Sequence, residues 1–179
     1  MFDNYILGIS KADFQAANDN HPESSLKSEV LPGNGNYELY SNLLKRVGEP
    51  WGWDRRPKYA NDNEDLRARV ALPTTHIHLF KKFNEILGYS LTVARPDLKS
   101  AFNNIYEVEN FGFFLEHCGK GYGSYFLNDT FKYLFNHEAD YIHLESRSTN
   151  HEKVLPFYIE NGMKVINVIQ NNPDDLLPA

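Results

Sequence analysis

The sequence predicts an α/β or α+β domain built on a mixed sheet. Three observations carry that expectation. From residue 105 onward, apolar strand-like runs alternate with helical periodicity in the order β-α-β-α-β. A pair of strand-like runs precedes them, and a helical stretch precedes that pair. The chain has 179 residues, enough for one sizeable core and too few for two full domains. A single domain over 1–179 is therefore expected, with an irregular part over about 1–36.

Tyr5 to Ile9 reads as a first strand. Asn, Ser, Pro and Gly concentrate between Asn18 and Asn36, which favours loops and turns, and Asn18 to Pro32 reads as a mobile segment. Tyr37, Tyr40, Leu43, Leu44 and Val47 then recur on one helical face, stopped at Gly48-Glu49-Pro50. Trp51-Gly52-Trp53-Asp54-Arg55-Arg56-Pro57 is too aromatic for a simple linker. A short helix is expected over Asn63 to Val70, ended before Pro73. Thr75 to Phe80 and Ile86 to Ala94 read as an antiparallel hairpin turning at Asn84-Glu85. Ile105 to Leu115 is nearly continuous in apolar and aromatic residues, as in a central strand buried on both faces. After a glycine-rich turn come a helix (Gly121 to His137), a strand (Tyr141 to Glu145), a helix (Glu152 to Asn161) and a last strand (Val165 to Ile169). Leu127, Phe131 and Leu134 fall on the core face of the first of these helices.

Composition narrows the function. Aromatics reach 14%, whereas disordered chains are poor in them. A net charge of -6 lacks the basic footprint of a nucleic-acid or membrane-surface binder. The single cysteine, Cys118, excludes an intramolecular disulfide and a Cys-rich zinc site. No apolar run approaches the ~18 residues of a membrane helix, and Met1 to Ser10 lacks a basic region before an apolar stretch. A soluble, cytoplasmic protein is the expectation.

The strongest local signal is Cys118-Gly119-Lys120-Gly121-Tyr122-Gly123-Ser124, between a buried strand and a helix. Glycines let the backbone approach a ligand, successive N–H groups form an anion nest, and the helix end adds partial positive charge. A phosphate or pyrophosphate fits such a place. A Walker loop is excluded by its spacing. The G-x-G-x-G spacing and the preceding strand order also disagree with a dinucleotide fingerprint. A plain glycine-rich turn is the bland alternative. The glycines of Gly121-Tyr122-Gly123 also match the Gln/Arg-x-x-Gly-x-Gly/Ala loop that holds the acyl-CoA pyrophosphate in GNAT acetyltransferases, with Cys118 at the Gln/Arg position.

A second segment, Asn150 to Met163, resembles the C-terminal motif of the same superfamily. There an Asn precedes a helix that carries Tyr and ends at Gly-Phe; Met163 stands for the Phe. Gly48-Glu49-Pro50-Trp51 and Asn110-Phe111-Gly112-Phe113 are similar to segments of a bacterial subgroup. The resemblance to GNAT acetyltransferases covers about 37–169. It implies a mixed, mostly antiparallel sheet of six or seven strands flanked by helices, with the fourth and fifth strands splayed. It implies acetyl-CoA as co-substrate, no metal, and direct attack by an amine in a ternary complex. Phe111, Gly112 and Phe113 would hold the pantetheine arm. Gly119, Lys120, Gly121, Tyr122, Gly123 and Ser124 would hold the pyrophosphate. Asn150 would cap the next helix or touch the cofactor arm.

An ammonium acceptor must lose a proton before it attacks, so a carboxylate is a sensible base. The resemblance places Glu107 there. Glu109 shares its strand face unless a bulge intervenes. Either could instead be a solvated edge carboxylate. Tyr158 is the implied acid for the departing thiolate; its alternative is packing on the sheet. Trp51, Trp53, Arg55 and Arg56 fall where the family builds its acceptor wall, and could equally pack the helices. An arginine would suit a carboxylate on the acceptor. Glu49, Asp54 and Glu107 would suit a cationic amine. His76 and His78 share a strand face, but two ligands without a third do not make a metal site. His117, His137 and His151 read as surface or turn residues. The reading is an N-acetyltransferase acting on a primary amine of a small molecule or peptide, as monomer or homodimer. A non-catalytic acyl-CoA sensor and a nucleotide-dependent oxidoreductase are the alternatives.

Overall fold

The apolar runs pair into one seven-stranded sheet in a computed structural model that describes residues 2–14, 25–53, 64–98, 101–137 and 139–171. Its strands are β1 (Phe2–Ser10), β2 (Leu26–Pro32), β3 (His76–Lys82), β4 (Glu85–Ala94), β5 (Ile105–Phe113), β6 (Tyr141–Arg147) and β7 (Lys164–Asn171). The helices are α1 (Tyr37–Gly48), α2 (Glu64–Val70), α3 (Gly123–Asn136) and α4 (Val154–Glu160). The spatial order is β2-β3-β4-β5-β6-β1-β7. All neighbours are antiparallel except β5 and β6. This is the expected mixed, mostly antiparallel sheet. No helix among the described residues is long and apolar enough to cross a membrane.

Amphipathic helices cover both sheet faces. On one side Tyr40, Leu43, Leu44 and Val47 of α1 and Leu66 and Val70 of α2 pack on Ile77, Leu79, Tyr89 and Leu91. On the other, Leu127, Phe131 and Leu134 of α3 and Tyr158 of α4 pack on Leu7, Val108, Ile142 and Leu144. Asn128 and Asn161 tie α3 to α4: Asn128 Nδ2 donates to Asn161 Oδ1 at 3.2 Å, and Asn161 Nδ2 to the Phe157 carbonyl at 2.8 Å.

The expected loop before α1 contains β2. Its side-chain pattern is mostly polar or half-exposed, so nothing local marks a strand; its ladder with β3 holds it, at the sheet edge. Residues 15–24 of the expected mobile segment lie outside the described residues. The hairpin turns at Phe83-Asn84, one residue before the expected place. The last helix begins at Val154 rather than Glu152, with Pro156 in its first turn, where its missing N–H costs nothing.

Two irregularities of β5 shape the cleft. First, it pairs with β6 only from Ile105↔Tyr141 to Val108↔Leu144, and beyond that the two strands separate. These are the strands expected to splay. They count fifth and sixth because β2 adds one strand ahead of them. Second, Leu91 faces Asn110 but Thr92 faces Val108, so Glu109 is an extra, bulged residue. The bulge reverses the alternation. Val108 packs toward α3, and three residues later Phe111 also faces that side, while Asn110 accepts a hydrogen bond from Tyr40 of α1 at 3.0 Å. The distal half of β5 is only partly buried, against the expectation of burial on both faces, because it walls a cavity.

Candidate active site

A cavity of about 700 Å³ opens where β5 and β6 part. Small-molecule sites commonly occupy ~300–1,000 Å³. Among the residues that line it are Phe111, Gly112, Phe113, Gly119, Lys120, Gly121, Tyr122, Gly123, Ser124, Asn150 and Tyr158, and also Glu107, Glu109, Trp51 and Trp53. The separate sequence segments expected to form a site thus border one space. Arg55, with Asp54 and Arg56, lies outside the described residues.

The glycine loop leaves β5 through a 3-10 turn at Leu115–His117 and enters α3. Gly119 and Gly121 take φ of +72° and +82°. A Cβ at either would meet nothing within 4 Å, so the backbone conformation, not space, calls for glycine. No side chain caps α3 and no acidic residue lies in its first turn. Its first N–H groups therefore have no side-chain acceptor and can bind an anion. Lys120 is exposed at the cavity edge, and Lys82 Nζ donates to Tyr122 Oη at 3.3 Å. Cys118 bends its thiol to the Phe114 carbonyl at 3.5 Å. Burial, and then the Glu116 carboxylate, push its pKa up, which suits an inert thiol.

Tyr158 is buried, with its ring edge-on to Phe111 at 6.5 Å and tilted against Phe157 at 5.3 Å. Burial raises its phenol well above the ordinary value, so it stays protonated at neutral pH. Asn150 does not cap α4: Lys153 is the N-cap residue, and Asn150 Nδ2 donates to Ser146 Oγ of β6 at 3.3 Å.

On the opposite side of the sheet the carboxylates gather. Glu107 is 5% exposed and paired with the Arg95 guanidinium, which also bonds Asp97 twice at 2.8 Å. Asp97 first, and Glu107 as well, hold the Arg95 pKa above its ordinary value. Glu109, at the bulge, meets Arg69 Nη1 of α2 at 3.4 Å. The register sets His143 beside Glu107, and Glu145 lies two residues on. Glu107, His143 and Glu145 each bring a ligand atom within 4.8 Å of the others. Such a set could hold a divalent cation, but Arg95 already supplies positive charge to Glu107. Sequence reasoning passed over Arg95, His143, Glu145 and Asn4. The available signal was His143 and Glu145, two ionisable residues on one face of the strand expected over Tyr141 to Glu145.

No family model matches the chain and no curated protein matches it. Solved structures do. An aminoglycoside acetyltransferase from an uncultured soil metagenomic sample superposes at TM-score 0.56 with 14% identity, over 76% of this chain and 87% of that one. A GCN5-related N-acetyltransferase from Sphaerobacter thermophilus gives 0.64 and 11%, over 93% of this chain and 49% of its own. A GNAT family acetyltransferase from Staphylococcus aureus gives 0.56 and 19%, over 83% and 97%. With its splayed parallel pair and the glycine loop between β5 and α3, this chain has the GNAT acetyltransferase fold.

Proposed function

We propose that the chain is an acetyl-CoA-dependent N-acetyltransferase that passes its acyl group directly to a primary amine. The observation that carries this reading is the uncapped start of α3, with left-handed Gly119 and Gly121, opening into the same cavity as Tyr158 and the carboxylates. The likeness to solved acetyltransferases supports it. The loop amides and Lys120 would take the pyrophosphate, and the unpaired edge of β5 over Phe111–Phe113 the pantetheine arm. The acceptor would enter between Trp51, Trp53 and the carboxylates.

The chemistry divides between the two sides of the sheet. A carboxylate removes a proton from the acceptor ammonium, and the neutral nitrogen attacks the thioester carbon. When the carbon–sulfur bond breaks, the sulfur takes its proton from the Tyr158 phenol. The attacking nitrogen sheds its second proton to solvent as the amide forms, and the proton left on the carboxylate restores the phenolate through solvent. Glu107 is the base that the strand position implies, although its carboxylate already holds Arg95.

Thermal unfolding with added ligands tests the reading. Acetyl-CoA at 100 times its Kd should add ~2.7 kcal/mol, about 5–10 °C in Tm, and NAD(P)H none. No shift with acetyl-CoA would remove the proposal. A shift without CoA release across an amine panel would favour a sensor.

A further inference from the structure

Among the described residues, one carboxylate of the cavity has no cationic partner. Three carboxylates among the described residues line the cavity: Glu107, Glu109 and Glu145. Glu107 carries the Arg95 guanidinium, and Glu109, with its side chain 2% exposed, carries that of Arg69. Glu145 has no cationic partner among the described residues. It accepts one hydrogen bond, 3.0 Å, from the neutral amide Nδ2 of Asn4. Arg147, two residues on, is drawn aside, its guanidinium 5.4 Å from the Phe2 ring centre.

We propose that Glu145, steadied by Asn4, is the docking carboxylate for the protonated amine of the acceptor; the proposal rests on the acyl-transfer reading of this cavity. Glu145 is the first residue of β6 beyond the last β5–β6 pair, Val108↔Leu144. It therefore stands at the apex of the cleft, the place where an arm lying between the strands would end. A buried ring that is not among the residues lining the cavity lies near Glu145. His143 is 6% exposed, its Nδ1 has no hydrogen-bond partner, and a ring nitrogen lies within 4.8 Å of both carboxylate groups. An ammonium has three donors, enough for Glu145 and for one neighbour. Trp51 and Trp53 also line the cavity, and an indole ring tolerates a nearby cation.

The chain has two tryptophans, both in the cavity, so their indole N–H resonances are direct reporters. The protein is titrated, with and without added CoA, with n-butylammonium and with neutral 1-butanol. Wild type should saturate with the cation and not with the alcohol. Glu145 is itself exposed, so Glu145→Gln should weaken the cation about fivefold, the upper end for a solvent-accessible ion pair. Glu152→Gln, with the same loss of charge outside the cavity lining, should change it less than about twofold, since an exposed charge contributes little. If Glu145→Gln loses its fold, Asn4→Ala keeps the carboxylate without its support and should weaken binding about threefold. Cation binding unchanged in Glu145→Gln, an equal loss in Glu152→Gln, or no preference for cation over alcohol each overturns the proposal. Absence of an acetyl-CoA thermal shift in wild type would instead overturn the acyl-transfer reading, because the amine titration reads the carboxylate by itself.

Discussion

Tyr158 shows how one side chain can be poised by burial alone. Its raised pKa keeps the proton on the phenol through neutral pH, so the group is there as a donor rather than as a phenolate. Tyr158→Phe keeps the ring packing against Phe111 and Phe157 and removes the proton. It should lower kcat about 100-fold, the lower end for loss of a general acid, with the acetyl-CoA thermal shift retained. Measured CoA release at the wild-type rate would leave Tyr158 a packing role only. Glu107 makes the opposite point. Its place on β5 was legible, but the charge that accompanies it comes from Arg95, beyond the end of β4, and the identity of a charge partner is not encoded in local pattern.

At the scale of elements, the site depends on how closely β5 approaches its neighbours. Gly112 is one of the cavity residues expected from sequence, and the structure adds a reason for its small size. A Cβ there would meet Val47 Cγ1 of α1 at 2.5 Å, with Trp53 next at 3.8 Å. Gly112→Ala should destabilise the protein by about 1–3 kcal/mol through overpacking. Val47→Ala should restore part of that loss, so the double mutant should be more stable than the sum of the two single changes. Urea unfolding of the four proteins checks this; strict additivity would mean that α1 and β5 do not press on each other at this point. The Glu109 bulge acts in the same region. It turns Phe111 and Phe113 toward α3 and the glycine loop, whereas an unbroken alternation from Val108 would turn them toward α1. A one-residue change of register reverses every following side chain, so this irregularity decides which face the cavity wall presents.

At the scale of the whole molecule, burial of neutral histidines ties stability to pH. Desolvation lowers the pKa of His76 and His143 and takes that of His78 down to about 3. Unfolded, these rings titrate near ~6.5. Their contribution is thus complete above about pH 6.5 and is lost as pH falls toward the folded values, since the unfolded chain takes up protons that the fold refuses. Between pH 7 and pH 5, His78 alone should cost about 2 kcal/mol. His78→Gln can still reach Thr92 Oγ1, now 3.0 Å from His78 Nε2, and should lose correspondingly less over that range in urea titrations. Equal losses in both proteins would assign the acid sensitivity elsewhere. The same scale sets the limit of what the chain shows by itself. Helix periodicity over Tyr37 to Val47, the apolar run of β5, the hairpin of β3 and β4, and the glycine loop were all written locally, because each depends on neighbours within a few residues. The edge strand β2, the insertion of β1 between β6 and β7, the bulge at Glu109, and the contrast between two carboxylates paired with arginines and a third without a cationic partner among the described residues depend on partners as much as 169 residues away, as in the pairing of Phe2 with Asn171. Hydrogen-bond ladders and ion pairs of that kind form only when the chain has closed, so the tertiary structure alone decided them.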